Sequence, residues 1–149
     1  MNGPRQQHLT SSELRALLAP QRRASGRRAH PERDIQRAIV DALSGPQWAR
    51  RVFAFHVPNG GGRNQREAKE LRRDGVRSGV ADLAVMLPDA RTLWLEVKAP
   101  NGSVKKAQKE FREVCNVLGH PYRVVRSVAE ALAAVEEEIG ATNHERRTA

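Results

Sequence analysis

The chain has 149 residues, of which 39% are hydrophobic and 29% are charged, and its formal net charge at pH 7 is +9. This length predicts one ordinary domain, and no apolar run is long enough to span a membrane. The N-terminus lacks the apolar core of a signal peptide, and the single cysteine, Cys115, excludes an internal disulfide. We therefore expect a protein of a reducing, cytoplasmic setting.

The excess of positive charge predicts attraction to polyanions, and to nucleic acid above all. Residues 1–31 hold six arginines and one acidic residue, so the rest of the chain is only mildly basic. A basic tail can also simply keep a protein soluble. Charge alone therefore leaves both interpretations open.

Residues 1–30 are rich in Arg, Gln, Ser and Pro, a composition typical of a mostly disordered tail. Residues 31–139 carry regular hydrophobic patterns and predict the folded domain. Residues 140–149 are polar, and we expect a second, flexible tail there.

Turn and capping residues divide the folded part into elements. Pro31 suits the first position of a helix, Gly45-Pro46 ends it, and Pro88-Asp89 predicts a hairpin turn. The predicted elements are a helix over 31–44, a strand over 52–57, a helix over 63–73, strands over 83–87 and 92–98, a helix over 104–118, a strand over 122–125, and a last helix, capped by Ser127, to about residue 139. This order predicts an α/β fold with a small mixed sheet flanked by helices.

The strand over 92–98 ends in the triplet Glu96-Val97-Lys98. Side chains at positions i and i+2 share a strand face, so Glu96 and Lys98 point the same way, while Leu93, Leu95 and Val97 face the core. Burying a carboxylate and an ammonium without compensation costs several kcal/mol. The pair therefore marks either a functional site or an ordinary salt bridge at a strand edge.

Asp82 precedes the other strand of the predicted hairpin. If the two strands are antiparallel neighbours, the start of the first lies beside the end of the second, and Asp82 meets Glu96. Two carboxylates and the backbone carbonyl of Val97 are hard oxygen ligands of the kind that Mg²⁺ or Mn²⁺ prefers. Glu32, at the start of the first helix, could reach the same metal through a water.

Several short motifs, taken together, resemble the VRR-NUC (virus-type replication-repair nuclease) branch of the PD-(D/E)xK nuclease superfamily. The resemblance runs over about residues 31–135 and rests on these motifs: Glu32-x-x-Ile35-Gln36, Pro58-Asn59-Gly60-Gly61, Gly79-Val80-Ala81-Asp82-Leu83, Leu95-Glu96-Val97-Lys98 and Gln108. It implies a restriction-endonuclease-like core, dependence on Mg²⁺ or Mn²⁺, and cleavage of DNA. Small stand-alone members are typically phage or bacterial homodimers, similar to enzymes that cut four-way (Holliday) junctions. The same module occurs in the Fanconi-anaemia-associated nuclease, which cuts branched DNA.

Within this resemblance, Asp82 and Glu96 match the metal-binding acids, and Lys98 matches the catalytic lysine. Glu32 matches the acid of the first helix, and Gln108 the helix glutamine near the site. Two positions depart from the family pattern. Ala81 replaces a proline that only stiffens the approach to the aspartate, and Lys105 replaces a frequent serine, which favours phosphate contact and leaves the metal ligands unchanged.

Two segments are candidate DNA contacts. The loop that contains Asn59, Gly60, Gly61 and Arg63 could bind a phosphate through backbone N–H groups, or it could be a plain turn. Lys105, Lys106 and Lys109 follow the active-site strand. The helix over 63–73 also carries a row of basic residues, although Glu67 and Glu70 interleave with it and a solvated face remains possible.

The sequence thus predicts a metal-dependent DNA endonuclease that acts as a homodimer on branched DNA. Two alternatives stay open: a non-catalytic DNA-binding protein that keeps the fold, and a restriction or nicking enzyme with sequence preference.

Overall fold

A computed structural model describes residues 30–58 and 65–148, with side chains described at 30–58 and 66–141. The predicted N-terminal tail up to residue 29, and the loop residues Asn59, Gly60, Gly61 and Arg63, lie outside the described residues. The described elements, in chain order, are α1 (Pro31–Ser44), β1 (Phe53–His56), α2 (Gln65–Arg73), β2 (Leu83–Met86), β3 (Thr92–Val97), α3 (Lys106–Val117), β4 (Tyr122–Val125) and α4 (Val128–Thr148). The predicted order of helices and strands is confirmed.

The four strands form one mixed sheet in the order β1-β2-β3-β4. β1 and β2 are antiparallel, as are β2 and β3, whereas β3 and β4 are parallel. The predicted hairpin is therefore present, and Leu87 N–H donates to the Arg91 carbonyl, 3.0 Å away, to close its turn. The predicted α/β fold with a small mixed sheet flanked by helices is confirmed.

One face of the sheet carries the main core. Alternate residues of β2 and β3 point into it, and Leu83, Leu93 and Leu95 are fully buried there. Ile39 and Leu43 of α1 recur at helical spacing and pack on this face, and Val135 of α4 packs beside them. Burial alternates from Thr92 to Leu95 as predicted, and Glu96 departs from the alternation because it is buried on the other face.

α3 packs on part of the opposite face, beside β4. Cys115 is buried there in a small cluster with Tyr122 and Ala81, and Phe111 meets Trp94 edge to face with ring centroids 5.1 Å apart. Trp94, Glu96 and Lys98 lie on this face because they alternate with the core residues of β3. The polar site is therefore enclosed between the sheet and α3.

The last helix is longer than predicted. Glu130 N–H donates to Ser127 Oγ, 3.1 Å away, as the capping pattern predicts. The helical backbone, however, continues to Thr148, so the predicted end near residue 139 is wrong. Gly140 costs helix stability but does not end a helix by itself, and Ala141, Glu145 and Arg146 beyond it are good helix formers. Among the described residues, no helix combines the length and apolarity needed to cross a membrane.

Candidate active site

The carboxylate of Glu96 and the ammonium of Lys98 lie side by side under α3. Glu96 is 1% exposed and Lys98 is 6% exposed, and Glu96 Oε1 lies 2.8 Å from Lys98 Nζ. A buried ion pair gains little net stability, because desolvation offsets most of the attraction. An acid and a lysine enclosed in this way are thus better explained by chemistry than by packing.

Asp82 lies next to this pair, as the hairpin predicts. Leu83 pairs with Leu95 in the antiparallel ladder, so the next position back on β2 faces Glu96. Asp82 Oδ2 accepts a hydrogen bond from the backbone N–H of Val97 at 2.9 Å. The structure thus brings the predicted residues Asp82, Glu96, Val97 and Lys98 together.

The surroundings of Glu96 disfavour its charge. The pKa of Glu96 is raised from 4.5 to about 7: burial is the largest cause, the nearby Asp82 carboxylate adds to it, and the hydrogen bond and charge of Lys98 oppose it. A cation bound beside two carboxylates that repel each other would relieve that repulsion. A perturbed carboxyl beside a specific charge partner is also a mark of functional sites.

Gln108 belongs to the site although it lies on α3, the helix that covers this part of the sheet. Its side-chain amide donates to Glu96 Oε1, and its Oε1 accepts from the backbone N–H of Lys105 at 2.8 Å. The glutamine is therefore fixed at both ends, by the first turn of its own helix and by the carboxylate. Sequence resemblance placed Gln108 near the site, and the structure brings it into contact with Glu96.

Tyr122 is a site residue that the sequence did not indicate. Its hydroxyl donates to Glu96 Oε2 at 3.4 Å, and burial, together with the charge of Glu96, raises the pKa of Tyr122. The position of Tyr122 relative to Glu96 in the sheet explains this contact. Val124 pairs with Glu96 across β3 and β4, so a tyrosine two residues earlier on the same face is a diagonal neighbour of Glu96.

Glu32 reaches the loop that follows β3. Its Oε1 accepts a hydrogen bond from the backbone N–H of Ala99 at 3.2 Å, and a side chain at Gly102 would lie 3.1 Å from the same oxygen. The predicted Glu32 therefore stands beside the site, in contact with the residue after Lys98.

The backbone before Asp82 is held in two places. The Asp82 carbonyl accepts from Val57 N–H at 2.9 Å, and His56 Nδ1 lies 2.9 Å from the same oxygen. Gly79 has a φ of +83°, and a Cβ there would lie 2.3 Å from the Ala107 carbonyl of α3. Only glycine allows this backbone approach, which sets the segment leading to Asp82 against the first turn of α3.

The comparisons with known proteins agree with this geometry. The family model of the VRR-NUC domain matches residues 30–129. The chain belongs to the VRR-NUC family. A solved structure described as a "VRR_NUC domain protein" is 22% identical to this chain, with a TM-score of 0.60, and the match covers 76% of this chain and 92% of that one. Another, described as a "VRR_NUC domain", is 21% identical with a TM-score of 0.50, covering 72% and 97%. No curated protein matches the chain.

VRR-NUC membership makes this a nuclease domain of the PD-(D/E)xK type, with DNA as its partner. These solved structures are too distant in sequence to show more than a common fold. The roles of individual residues are therefore argued from the geometry of this chain.

The VRR-NUC site fits a divalent cation of the Mg²⁺ type. Asp82 and Glu96 supply two carboxylates, and the N–H and C=O of a strand residue point to the same neighbouring strand, so the Val97 carbonyl lies on the Asp82 side. Among the described residues no three His, Cys, Asp or Glu side chains form a metal-binding group. A cation held by two carboxylates and a carbonyl keeps positions for water and phosphate oxygens, as Mg²⁺ commonly does.

Three of the residues predicted to contact DNA lie on both sides of Gln108. Lys105, Lys106 and Lys109 are exposed around the first turn of α3. Lys106 Nζ lies 3.8 Å from Glu110 Oε1, a solvent-exposed pair that contributes little. These three ammonium groups are therefore available to phosphates near the carboxylates.

Proposed function

We propose that this chain is a Mg²⁺- or Mn²⁺-dependent DNA endonuclease that hydrolyses phosphodiester bonds, with a preference for branched DNA such as four-way junctions. The observation that carries the proposal is the buried carboxylate of Glu96, placed between Asp82 and Lys98. A folded protein accepts a charge in this position when a function requires it. The pair of acids and the lysine are the groups that phosphodiester hydrolysis needs.

In this proposal Asp82, Glu96 and the carbonyl of Val97 hold the metal. When bound, the cation neutralises charge on the scissile phosphate and lowers the pKa of a water molecule. Lys98 orients the attacking water or stabilises the charge that develops on the phosphate. Its ammonium is fixed for this by Glu96 Oε1, 2.8 Å away.

The remaining site residues support these four. Gln108 and Tyr122 donate to the two oxygens of Glu96 and so fix the plane of its carboxylate. Glu32 holds the backbone after Lys98 and acts on the site through water. Lys105, Lys106 and Lys109, with Asn59, Gly60, Gly61 and Arg63 of the loop after β1, bind the DNA backbone.

The proposed enzyme is a homodimer, since a junction has two strands to cut and a twofold dimer presents two sites. An exposed apolar patch on the sheet is our candidate for the dimer interface. Phe53 is 65% exposed, Met86 is 53% exposed and Phe55 is 41% exposed, and Phe53 pairs with Met86 on the sheet face that also carries Glu96. β1 is also an edge strand of the sheet, and edge strands are ready sites for pairing with another chain.

Cleavage of a four-way junction and of linear duplex DNA, with and without Mg²⁺, tests the proposal. The wild-type chain is expected to cut the junction faster, and only with the metal. Glu96→Gln and Lys98→Met should each reduce the rate by about 10²-fold or more, since each removes a charged group of the site. Glu113→Gln, an exposed α3 acid paired with Arg112 at 3.6 Å, is the matched control and should cut like wild type.

The other outcomes identify the alternatives. DNA binding without cleavage in any metal would show a non-catalytic DNA-binding protein. Cleavage at fixed sequences of linear DNA, equal on junctions, would show a restriction or nicking enzyme. Equal rates for wild type, Glu96→Gln and Lys98→Met would remove the assigned site altogether.

A further inference from the structure

α2 presents four basic side chains to solvent on one side. At 100° per residue, Arg66, Lys69, Arg72 and Arg73 lie within an arc of about 120°, and all four are exposed and border one open surface depression. We call these four residues the α2 basic face. Glu67 and Glu70 fall outside the arc, so the charges on this helix are sorted and not interleaved.

The half-buried residues of α2 lie outside the basic arc. Leu71 lies opposite the middle of the basic arc, and it is half-buried, as is Ala68. The four basic residues are thus more exposed than the apolar residues of this helix. The ion pair between Arg66 Nε and Glu70 Oε1 spans 3.9 Å with Arg66 92% exposed, and such a pair contributes little.

The segment that carries α2 begins and ends at the candidate active site. Val57 N–H donates to the carbonyl of Asp82, so residues 57 and 82 meet, and α2 lies on the segment of chain between them. After α2, the chain packs against α3 at Gly79, which lies next to the Ala107 carbonyl. The α2 basic face therefore lies on the segment of chain that ends at Asp82, one of the two acids of the site.

Four like charges gathered on one side of a nine-residue helix repel one another and give the fold no packing in return. Such an arrangement suits a polyanion with regularly spaced charges, and the phosphate backbone of nucleic acid has that form. The side chains are arginine and lysine without an aromatic residue among them, which favours backbone contact over stacking on single-stranded bases.

We propose that the α2 basic face binds the phosphate backbone of duplex DNA next to the point of cleavage. This rests on the proposed function in taking DNA as the substrate, but it does not depend on cleavage. The face contributes affinity that is independent of sequence and decreases with salt. It takes no part in the chemistry, which belongs to Asp82, Glu96 and Lys98.

The test is the affinity for a fluorescent duplex without metal, measured by anisotropy over a series of salt concentrations. Arg66→Gln/Arg73→Gln is compared with Arg50→Gln/Arg51→Gln. The control removes the same charge from residues that precede β1, at the opposite end of the sheet from Asp82. The α2 variant should bind at least tenfold more weakly near 0.15 M salt. The slope of log affinity against log salt should become shallower by about 2, since each lost phosphate contact removes about 0.9.

The control variant should bind like wild type, and circular dichroism of both variants checks that they fold. At saturating junction DNA with Mg²⁺, the α2 variant should cut at the wild-type rate with a raised KM. An α2 variant with the affinity and salt slope of the control would overturn the inference, whatever the cleavage result. Conversely, binding that depends on α2 in a wild-type chain that never cuts DNA would contradict the proposed function and support the inference.

Discussion

The carboxylate of Asp82 accepts the backbone N–H of Val97 at 2.9 Å, which ties the residue before β2 to the last residue of β3. Through this bond, the side chain of Asp82 extends the contact between the two strands beyond their last backbone pair, Leu83 and Leu95. It places one site acid beside the strand that carries the other acid and the lysine. The hairpin thus brings the two acids and the lysine together, and α3 adds the contact of Gln108 with Glu96.

Without metal, the stability of the protein should decrease as pH rises from about 4.5 to about 7, because the pKa of Glu96 is raised to about 7 in the fold. A raised carboxyl pKa means that the folded state binds the proton more tightly, so this contribution is complete below pH 4.5 and lost above 7. A pKa difference of this size corresponds to about 3 kcal/mol. Urea unfolding of wild type and Glu96→Gln at pH 5 and pH 8 measures it. Unchanged pH dependence in the variant would show that other groups cause it.

Tyr122→Phe removes the hydroxyl donated to Glu96 Oε2 and leaves the ring. The carboxylate then loses a donor, so we expect Mn²⁺ affinity to decrease about threefold to tenfold at pH 7 and to recover towards pH 8.5. Titration calorimetry at both pH values measures this. Cys115→Ala, in the same buried cluster, is the packing control and should lower stability without a pH-dependent effect on the metal. If Mn²⁺ affinity changed with pH in the same way in both variants, Tyr122 would have only a packing role.

Gly79→Ala should destabilise the fold strongly, by about 2–4 kcal/mol, because the new Cβ would lie 2.3 Å from a backbone oxygen at a φ of +83°. Gly75→Ala is the matched control. Gly75 has a φ of +95° with no atom within 4 Å of an added Cβ, so its cost should be about 1 kcal/mol. Thermal unfolding of the two variants compares them, and equal losses would show that the contact with Ala107 has no energetic weight.

Glu32→Gln keeps an oxygen that can accept the Ala99 N–H, whereas Glu32→Ala does not. If the charge of Glu32 supports the reaction through water, the glutamine variant should keep its thermal stability and cut DNA about tenfold more slowly. The alanine variant should lose both. A glutamine variant with full activity would limit Glu32 to holding the loop.

Phe53→Asp should convert the proposed dimer to monomers, since it places a charge in the exposed apolar patch with Phe55 and Met86. Light scattering of the purified chain measures the mass. Val117→Asp, which alters an apolar residue on α3 that is 86% exposed, should leave the mass unchanged. A monomeric wild type, or a dimeric Phe53→Asp, would contradict this surface.

The hairpin part of the site could be predicted from sequence because the information is local. Strand alternation fixes the face of Glu96 and Lys98, and a short turn at Pro88-Asp89 fixes which residues of the two strands meet. Asp82 could therefore be paired with Glu96 from the order of residues alone.

Tyr122 could not be placed in the same way. Its contact depends on the register of β3 against β4, and these parallel strands are joined through α3 and not by a tight turn. The contact of Glu32 with Ala99 likewise depends on how α1 packs across the sheet. Only tertiary packing decides such distances, so the sequence indicated Glu32 through family resemblance and contained no signal for its partner.

The segment from Val57 to Asp82 joins β1 to β2, and its two ends are held together by the antiparallel pairing of these strands and by the Val57 N–H···Asp82 bond, so a change in its length need not move the site. The entropy of closing such a loop grows only slowly with the number of residues. Insertions or exchanges in α2, away from Gly79, should therefore leave both carboxylates in place. Relatives with the same catalytic residues can therefore differ in this segment and bind different DNA substrates. It is also the first segment to replace when a new DNA-binding element is to be introduced.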